Sequence, residues 1–181
     1  MAYNHRSAQA SYRGRLNRKE GGEFEKMIET ACEYYCDKGL ADIEKTPEPF
    51  AVTKSLGKGK FEGHFLKKAQ PDFKGTIRGG KSIVFDAKST TTDRIAVSVL
   101  SDEQRKHLLL HKKLGATSGV MVTYSFKWFF FIPIDKFLNA KEINGHAYWT
   151  PLEAELSGIY IRHTGTMLDF LEGLICQSLP M

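Results

Sequence analysis

A chain of 181 residues, 41% hydrophobic and with a net charge of +5, is long enough for one domain with a full core. It nowhere offers the ~20 consecutive apolar residues that a membrane helix needs. The three cysteines, Cys32, Cys36 and Cys176, argue against a disulfide framework. The N-terminus is polar and basic without an apolar core segment, so no secretory leader is expected and the cytoplasm is the expected compartment.

Residues 1–20 carry Arg6, Arg13, Arg15, Arg18 and Lys19 against a single acid, Glu20. With little to bury, this stretch reads as a basic, flexible arm that orders along a phosphate backbone or serves as a solubilising tail; residues 21–181 then form the folded domain. Within it, Phe24, Met27, Ile28, Ala31, Tyr34 and Tyr35 give the apolar stripe of a helix over Glu23–Asp37, ended by Gly39, with Glu25 off the centre of the stripe. Cys32 and Cys36 lie one turn apart with no second pair nearby, which favours packing over metal binding. Residues 53–69 are basic, with Lys54, Lys58, Lys60, Lys67 and Lys68 against Glu62, and are broken by Gly57, Gly59 and Gly63. That composition suits a protruding β-loop whose lysines meet phosphates, with Phe61 and Phe65 either packing its base or facing a ligand.

The stretch Gln70–Ser89 sets Asp72 before a turn at Arg78-Gly79-Gly80 and Asp86 and Lys88 after it. Ile83, Val84 and Phe85 mark a strand over Lys81–Lys88, in which Asp86 and Lys88 share a face and Ala87 points away. Parity then matters. A three-residue loop with Gly80 left-handed places Asp72 opposite Asp86 on one face, whereas a two-residue Gly79-Gly80 turn separates them, so a shared site needs an odd loop or a bulge.

Further along, Ser101-Asp102-Glu103-Gln104 has the form of a capping box opening a helix that runs to Leu114 and ends at Gly115. His107 and His111 are spaced like zinc ligands but lack the intervening glutamate of a metalloprotease motif, and read as partly buried or DNA-facing. Gly119–Tyr124 and Trp128–Ile134 are apolar runs consistent with buried strands, Pro133 marking the end of the second. Thr166–Leu179 reads as a closing amphipathic helix. The expected architecture is α/β, a mixed central sheet flanked by helices.

Two carboxylates and a lysine on one strand face suit metal-assisted hydrolysis of a phosphodiester. A hard cation such as Mg²⁺ takes oxygen ligands, keeps several waters and accepts further oxygens from the phosphate, so Asp72 and Asp86 suffice without a histidine or cysteine cage. Lys88 can orient or help deprotonate the attacking water and stabilise the developing charge.

The order Pro71-Asp72, a turn, then Asp86-Ala87-Lys88 resembles the PD-(D/E)xK nuclease superfamily. Gly21-Gly22-Glu23-Phe24-Glu25, Tyr34-Tyr35, Lys38-Gly39-Leu40-Ala41, Lys45-Thr46-Pro47-Glu48-Pro49, Asp72-Phe73-Lys74-Gly75 and Ile83–Lys88, in this order, resemble the RecU family of Holliday junction resolvases from Asn17 to near Phe170. The resemblance implies a restriction-endonuclease-like fold and a homodimer that binds four-way junction DNA and makes paired, symmetric nicks with Mg²⁺, for which Mn²⁺ can substitute. It implies an active site of Glu25, Asp72, Asp86 and Lys88, with Glu25, Asp72 and Asp86 on the metal, and matches Gln104 to a glutamine on the helix after the catalytic strand. It makes residues 53–69 a stalk entering the junction, where Phe61 and Phe65 stack on unpaired bases. Arg13, Arg15, Arg18, Lys58, Lys60, Phe61, Lys67 and Lys68 are the candidate DNA contacts, and other recombination proteins are candidate partners. Asp86 stands where the family often has glutamate, and Gln70-Pro71 replaces the threonines that commonly precede the first aspartate. Alternatives are a nuclease acting on other branched or linear DNA, and a non-catalytic DNA-binding module.

Overall fold

The run Ile83-Val84-Phe85 is apolar at consecutive positions, as in a strand covered on both faces, and both faces are covered. The computed structural model describes residues 5–47, 49–65 and 70–176, with side chains from residue 19 onward except those of 65, 175 and 176. Helix α1 (His5–Asp37) leads into β1 (Ala41–Lys45), the ribbon β2 (Phe50–Gly57) and β3 (Lys60–Phe65), and the hairpin β4 (Phe73–Ile77) and β5 (Lys81–Thr90). After β6 (Ile95–Ala96) come α2 (Asp102–Lys113), β7 (Thr117–Tyr124), β8 (Trp128–Pro133), α3 (Ile134–Leu138) and α4 (Ala140–Asn144). Then follow β9 (Tyr148–Trp149), α5 (Pro151–Ser157), β10 (Ile159–Tyr160), β11 (Arg162–His163), β12 (Leu168–Asp169) and α6 (Phe170–Cys176).

The main sheet has six strands in the order β1-β4-β5-β7-β8-β10. β5 and β7 run parallel and every other pair is antiparallel, which gives the expected mixed sheet flanked by helices. A parallel step needs a crossover, and α2 supplies it. Ile83, Phe85 and Ala87 of β5 pack into a core with Phe24, Ile28, Ala31, Cys32 and Tyr35 of α1. Val84, between them in sequence, packs on the other face with Leu108 of α2 and Phe137 of α3. Each face of the sheet therefore has its own hydrophobic core, and alternation along β5 assigns each residue to one of them.

Several boundaries differ from the sequence reading. Helix α1 begins at His5, not Glu23, so residues 5–20, read as a flexible arm, continue the helix; Ala8, Ala10, Arg13, Arg15 and Leu16 are good helix formers and no proline interrupts them. Tyr34 is 43% exposed, not buried, because the inward stripe runs through Ala31, Cys32 and Tyr35 and carries Tyr34 off it. β8 stops at Pro133, and Ile134 opens α3. The closing helix starts at Phe170, since Leu168–Asp169 pairs with β11 instead; residues 177–179 lie outside the described residues.

Among the described residues β2 and β3 pair only with each other, as a separate two-stranded sheet. Their turn, Lys58-Gly59, has left-handed φ at both positions (50° and 74°), the geometry that suits the twist of a two-residue hairpin. The protruding basic loop is thus a ribbon that starts at Phe50.

Gly75 in β4 lets β1 approach: a Cβ there would lie 2.0 Å from the Asp42 carbonyl oxygen and 2.5 Å from Ile43 Cα. Both are backbone atoms of a paired strand and cannot rotate away. Gly75→Ala is expected to destabilise the fold by about 3 kcal/mol or more, read as a drop in the midpoint of urea unfolding, whereas Lys74→Ala on the exposed neighbouring position stays within about 0.5 kcal/mol of the parent.

Candidate functional site

The β4–β5 loop contains three residues, Arg78, Gly79 and Gly80, between the paired Ile77 and Lys81. Both glycines are left-handed, at φ 94° and 86°, and Gly80 N–H donates to the Ile77 carbonyl at 3.0 Å. This is the odd loop that a shared site requires. Phe73 and Phe85, paired across the hairpin, stack with ring centroids 5.1 Å apart on the α1 side of the sheet. The next residues outward, Asp72 and Asp86, therefore turn to the α2 side, and Lys88 joins them two residues along β5.

Asp86 is fully buried. Its Oδ1 accepts a 2.8 Å hydrogen bond from Gln104 Nε2, and its Oδ2 meets the Lys88 ammonium as an ion pair. Lys88 Nζ lies 3.9 Å from Asp72 Oδ2, which also accepts from the Ala87 N–H at 2.9 Å. Gln104 cannot turn its amide round freely, because its Oε1 accepts from Ser101 N–H at 3.0 Å while Ser101 Oγ accepts from Gln104 N–H at 3.2 Å. The predicted capping box and the carboxylate contact are one arrangement.

Burial, reinforced by the charge of Asp86, pushes the Asp72 carboxyl up to about 6, against the opposing pull of the Lys88 ammonium and the Ala87 N–H. Two carboxylates crowded together, one fully buried and the other resisting ionisation, are what a hard cation relieves. The donors are oxygens, as Mg²⁺ or Mn²⁺ chemistry demands, and the residues fit such an ion.

Glu25 does not join this pair. Helix α1 packs on the opposite face of the sheet, and Glu25 Oε2 lies 2.8 Å from Lys45 Nζ, which also reaches Glu29 Oε1 at 2.9 Å. Glu25 and Glu29 together hold the Lys45 ammonium above its ordinary pKa. Among the described residues no three His, Cys, Asp or Glu side chains gather as a cation site. Two partners had no role in the sequence reading: the Lys45 side chain and the Ala87 N–H. Lys45 falls on the α1 side because Ala41 and Ile43, at the same parity in β1, are buried there, a signal that needs β1 to be recognised first.

Of the candidate DNA contacts, Lys58, Lys60 and Phe61 sit exposed at the ribbon tip, Phe61 at 57%. The ring is not packed into the base of the loop. The side chains of Arg13, Arg15 and Arg18, and all of Lys67 and Lys68, lie outside the described residues. His107 is exposed on α2 and His111 is partly covered. No helix among the described residues is long and apolar enough to cross a membrane.

The family described as RecU, recombination protein U, matches residues 19–174. The Holliday junction resolvase RecU of Pediococcus pentosaceus is 30% identical over 113 residues, covering 59% of this chain and 55% of the relative. That of Streptococcus gordonii is 37% identical over 75 residues, covering 39% of this chain and 37% of the relative. The chain thus aligns with only about half, or less, of the length of these curated relatives. The structure of Archaeoglobus fulgidus Hjc, a Holliday junction resolvase from an archaeal hyperthermophile, aligns with a TM-score of 0.48 at 14% identity, over 78% of this chain and 91% of that one.

The raised Asp72 carboxyl has a direct consequence for stability in chelator. Below about pH 4 the group is protonated folded or unfolded and costs nothing; as pH rises toward about 6 the unfolded chain ionises first and the fold is penalised. Asp72→Asn is therefore expected to stabilise the cation-free protein at pH 8 by on the order of 1–3 kcal/mol, with the gain vanishing near pH 4. Thermal melts followed by circular dichroism at the two pH values check it; an equal shift at both would refute the linkage.

Proposed function

This chain belongs to the RecU family, and on that premise we propose that it is a structure-selective endonuclease resolving four-way DNA junctions in recombination and repair, by hydrolysis that depends on a divalent cation. The observation that carries the reading is the convergence of Asp72, Asp86 and Lys88 on one face of the β4–β5 hairpin, with Asp86 fully buried and the Lys88 ammonium against its Oδ2. Mg²⁺ is the proposed ion, with Mn²⁺ able to substitute, and it would supply charge neutralisation at the phosphate and a more acidic water.

Asp72 and Asp86 would hold the cation. Lys88, on the same strand face, would orient the attacking water and offset charge on the phosphoryl oxygens. Gln104 keeps Asp86 Oδ1 occupied, so that Oδ2 is the oxygen presented. Glu25, paired with Lys45 in this structure, is proposed as a third carboxylate that would complete the oxygen set for the cation. The ribbon β2–β3, with Lys58, Lys60 and Phe61 at its tip, is proposed to enter the junction centre together with Lys67 and Lys68, while Arg13, Arg15 and Arg18 follow a phosphate backbone. Two symmetric nicks require two such centres, so the working form is proposed to be a homodimer, acting in the cytoplasm and open to contact with other recombination proteins.

Incubation with a synthetic four-way junction and a matched linear duplex, in Mg²⁺, Ca²⁺ or chelator, tests the whole reading. The parent is expected to nick opposing strands of the junction in Mg²⁺ alone. Asp72→Asn, Asp86→Asn and Lys88→Ala are each expected to lose about 100-fold or more of the cleavage rate while binding the junction nearly as well; cleavage undiminished in all three would end the assignment.

Deletion of residues 57–63 removes the ribbon tip without touching the main sheet, because β2 and β3 pair only with each other. Junction preference over duplex is expected to fall by about tenfold or more, with residual duplex cleavage retained. Equal loss on both substrates would remove the ribbon from the account.

A further inference from the structure

β1 and β4 pair with Lys45 opposite Phe73, and the ladder continues one step further, where Thr46 N–H donates to the Asp72 carbonyl at 2.7 Å. Residues directly opposed across strands share a face. Phe73 faces α1, as do Ala41 and Ile43 at the same parity as Lys45; Thr46 and Asp72 therefore turn together to the α2 side. Continuing the alternation one step past the Lys45–Phe73 pair puts Thr46, Asp72 and Asp86 at successive positions of one row. Pro47 follows Thr46 and keeps it extended, which holds its side chain to that direction.

Thr46 Oγ1 is buried and has no hydrogen-bond partner among the described residues. A hydroxyl can both donate and accept, and a nearby carboxylate or carbonyl satisfies most buried ones, so an orphan of this kind calls for a reason. The same row holds Asp86 Oδ2, a buried carboxylate oxygen that meets the Lys88 ammonium. A hard cation on two carboxylates keeps several of its waters, and these need hydrogen-bond partners beyond the direct ligands.

We propose that Thr46 is a positioning residue of the cation site, its hydroxyl hydrogen-bonding the hydration shell of a divalent cation held by Asp72 and Asp86. This rests on the cation reading of those two aspartates. Thr46 touches the ion only through its water, and fixes where that water stands relative to Asp72.

Calorimetric titration with Ca²⁺, without DNA, gives a readout apart from cleavage, and melting in chelator gives a second. Thr46→Val keeps shape and removes the hydroxyl: Ca²⁺ binding is expected to weaken about tenfold, while the cation-free protein melts about 2–5 °C higher, because an unsatisfied buried hydroxyl has been removed. Thr46→Ser is expected to restore most of the affinity, and Thr46→Ala to lose as much as the valine variant. Parental Ca²⁺ affinity in Thr46→Val, or equal losses in Thr46→Val and Thr46→Ser, would overturn the proposal. Asp72→Asn and Asp86→Asn in the same titration separate the two levels. If both bind Ca²⁺ like the parent, the cation reading itself fails; if they lose it and Thr46→Val does not, only the role of Thr46 fails.

Discussion

The register of one hairpin decides where the chemistry can occur. Phe73 and Phe85 stack inside the core on the α1 side, and a three-residue loop closes the hairpin behind them. With those rings fixed, the next pair outward has no choice of face. A slip of one residue would bury Asp72 among the rings of α1 and α6 and push a phenylalanine toward the site, exchanging apolar burial for an unpaired charge. The candidate site therefore inherits its geometry from core packing that has no chemical role of its own.

Charge arrangement sets the second constraint. Two carboxylates close together on a buried face repel each other, and the protein answers with three different devices: a lysine on the same strand, an amide from the start of α2, and a backbone N–H. The amide matters for direction. Because Ser101 fixes the orientation of Gln104, the Nε2 side faces Asp86 and takes its Oδ1, leaving Oδ2 to Lys88. The other face of the sheet keeps a separate account, with Lys45 between Glu25 and Glu29. Lys45 and Thr46, adjacent in sequence, thus serve opposite faces of the same strand end.

How much of this could be read beforehand depended on the range of the interaction. Asp86 and Lys88 were legible from alternation alone, and the capping box at Ser101 and Gln104 from spacing. Parity showed only that a shared face needs an odd loop or a bulge; the two glycines equally allowed a two-residue turn, and the pairing of Ile77 with Lys81 decides for three residues. β1 was missed because five residues carrying three charges make a weak strand pattern, and its face becomes meaningful only once β4 is known to lie beside it. The pairing of Glu25 with Lys45 was out of reach for the same reason: a helix position tells which residues face the core, but not which lysine of a remote strand will meet them. Short pieces such as β6 and β9, two residues each, have no periodicity to detect. The capping box at Thr150 and Glu153 had the same form as that at Ser101, and could have announced α5.

The parallel pairing of β5 with β7 carries a consequence for the order in which the molecule assembles. Asp72 and Asp86 are joined by a hairpin, a local element that closes in about 1–10 μs in isolated examples. Gln104 reaches Asp86 only once α2 has crossed over and β7 has docked, a slower, non-local event. On the nascent chain the two like charges would therefore meet before their amide partner arrives. Lys88, carried two residues away on the same strand, is the counter-charge that travels with them from the start.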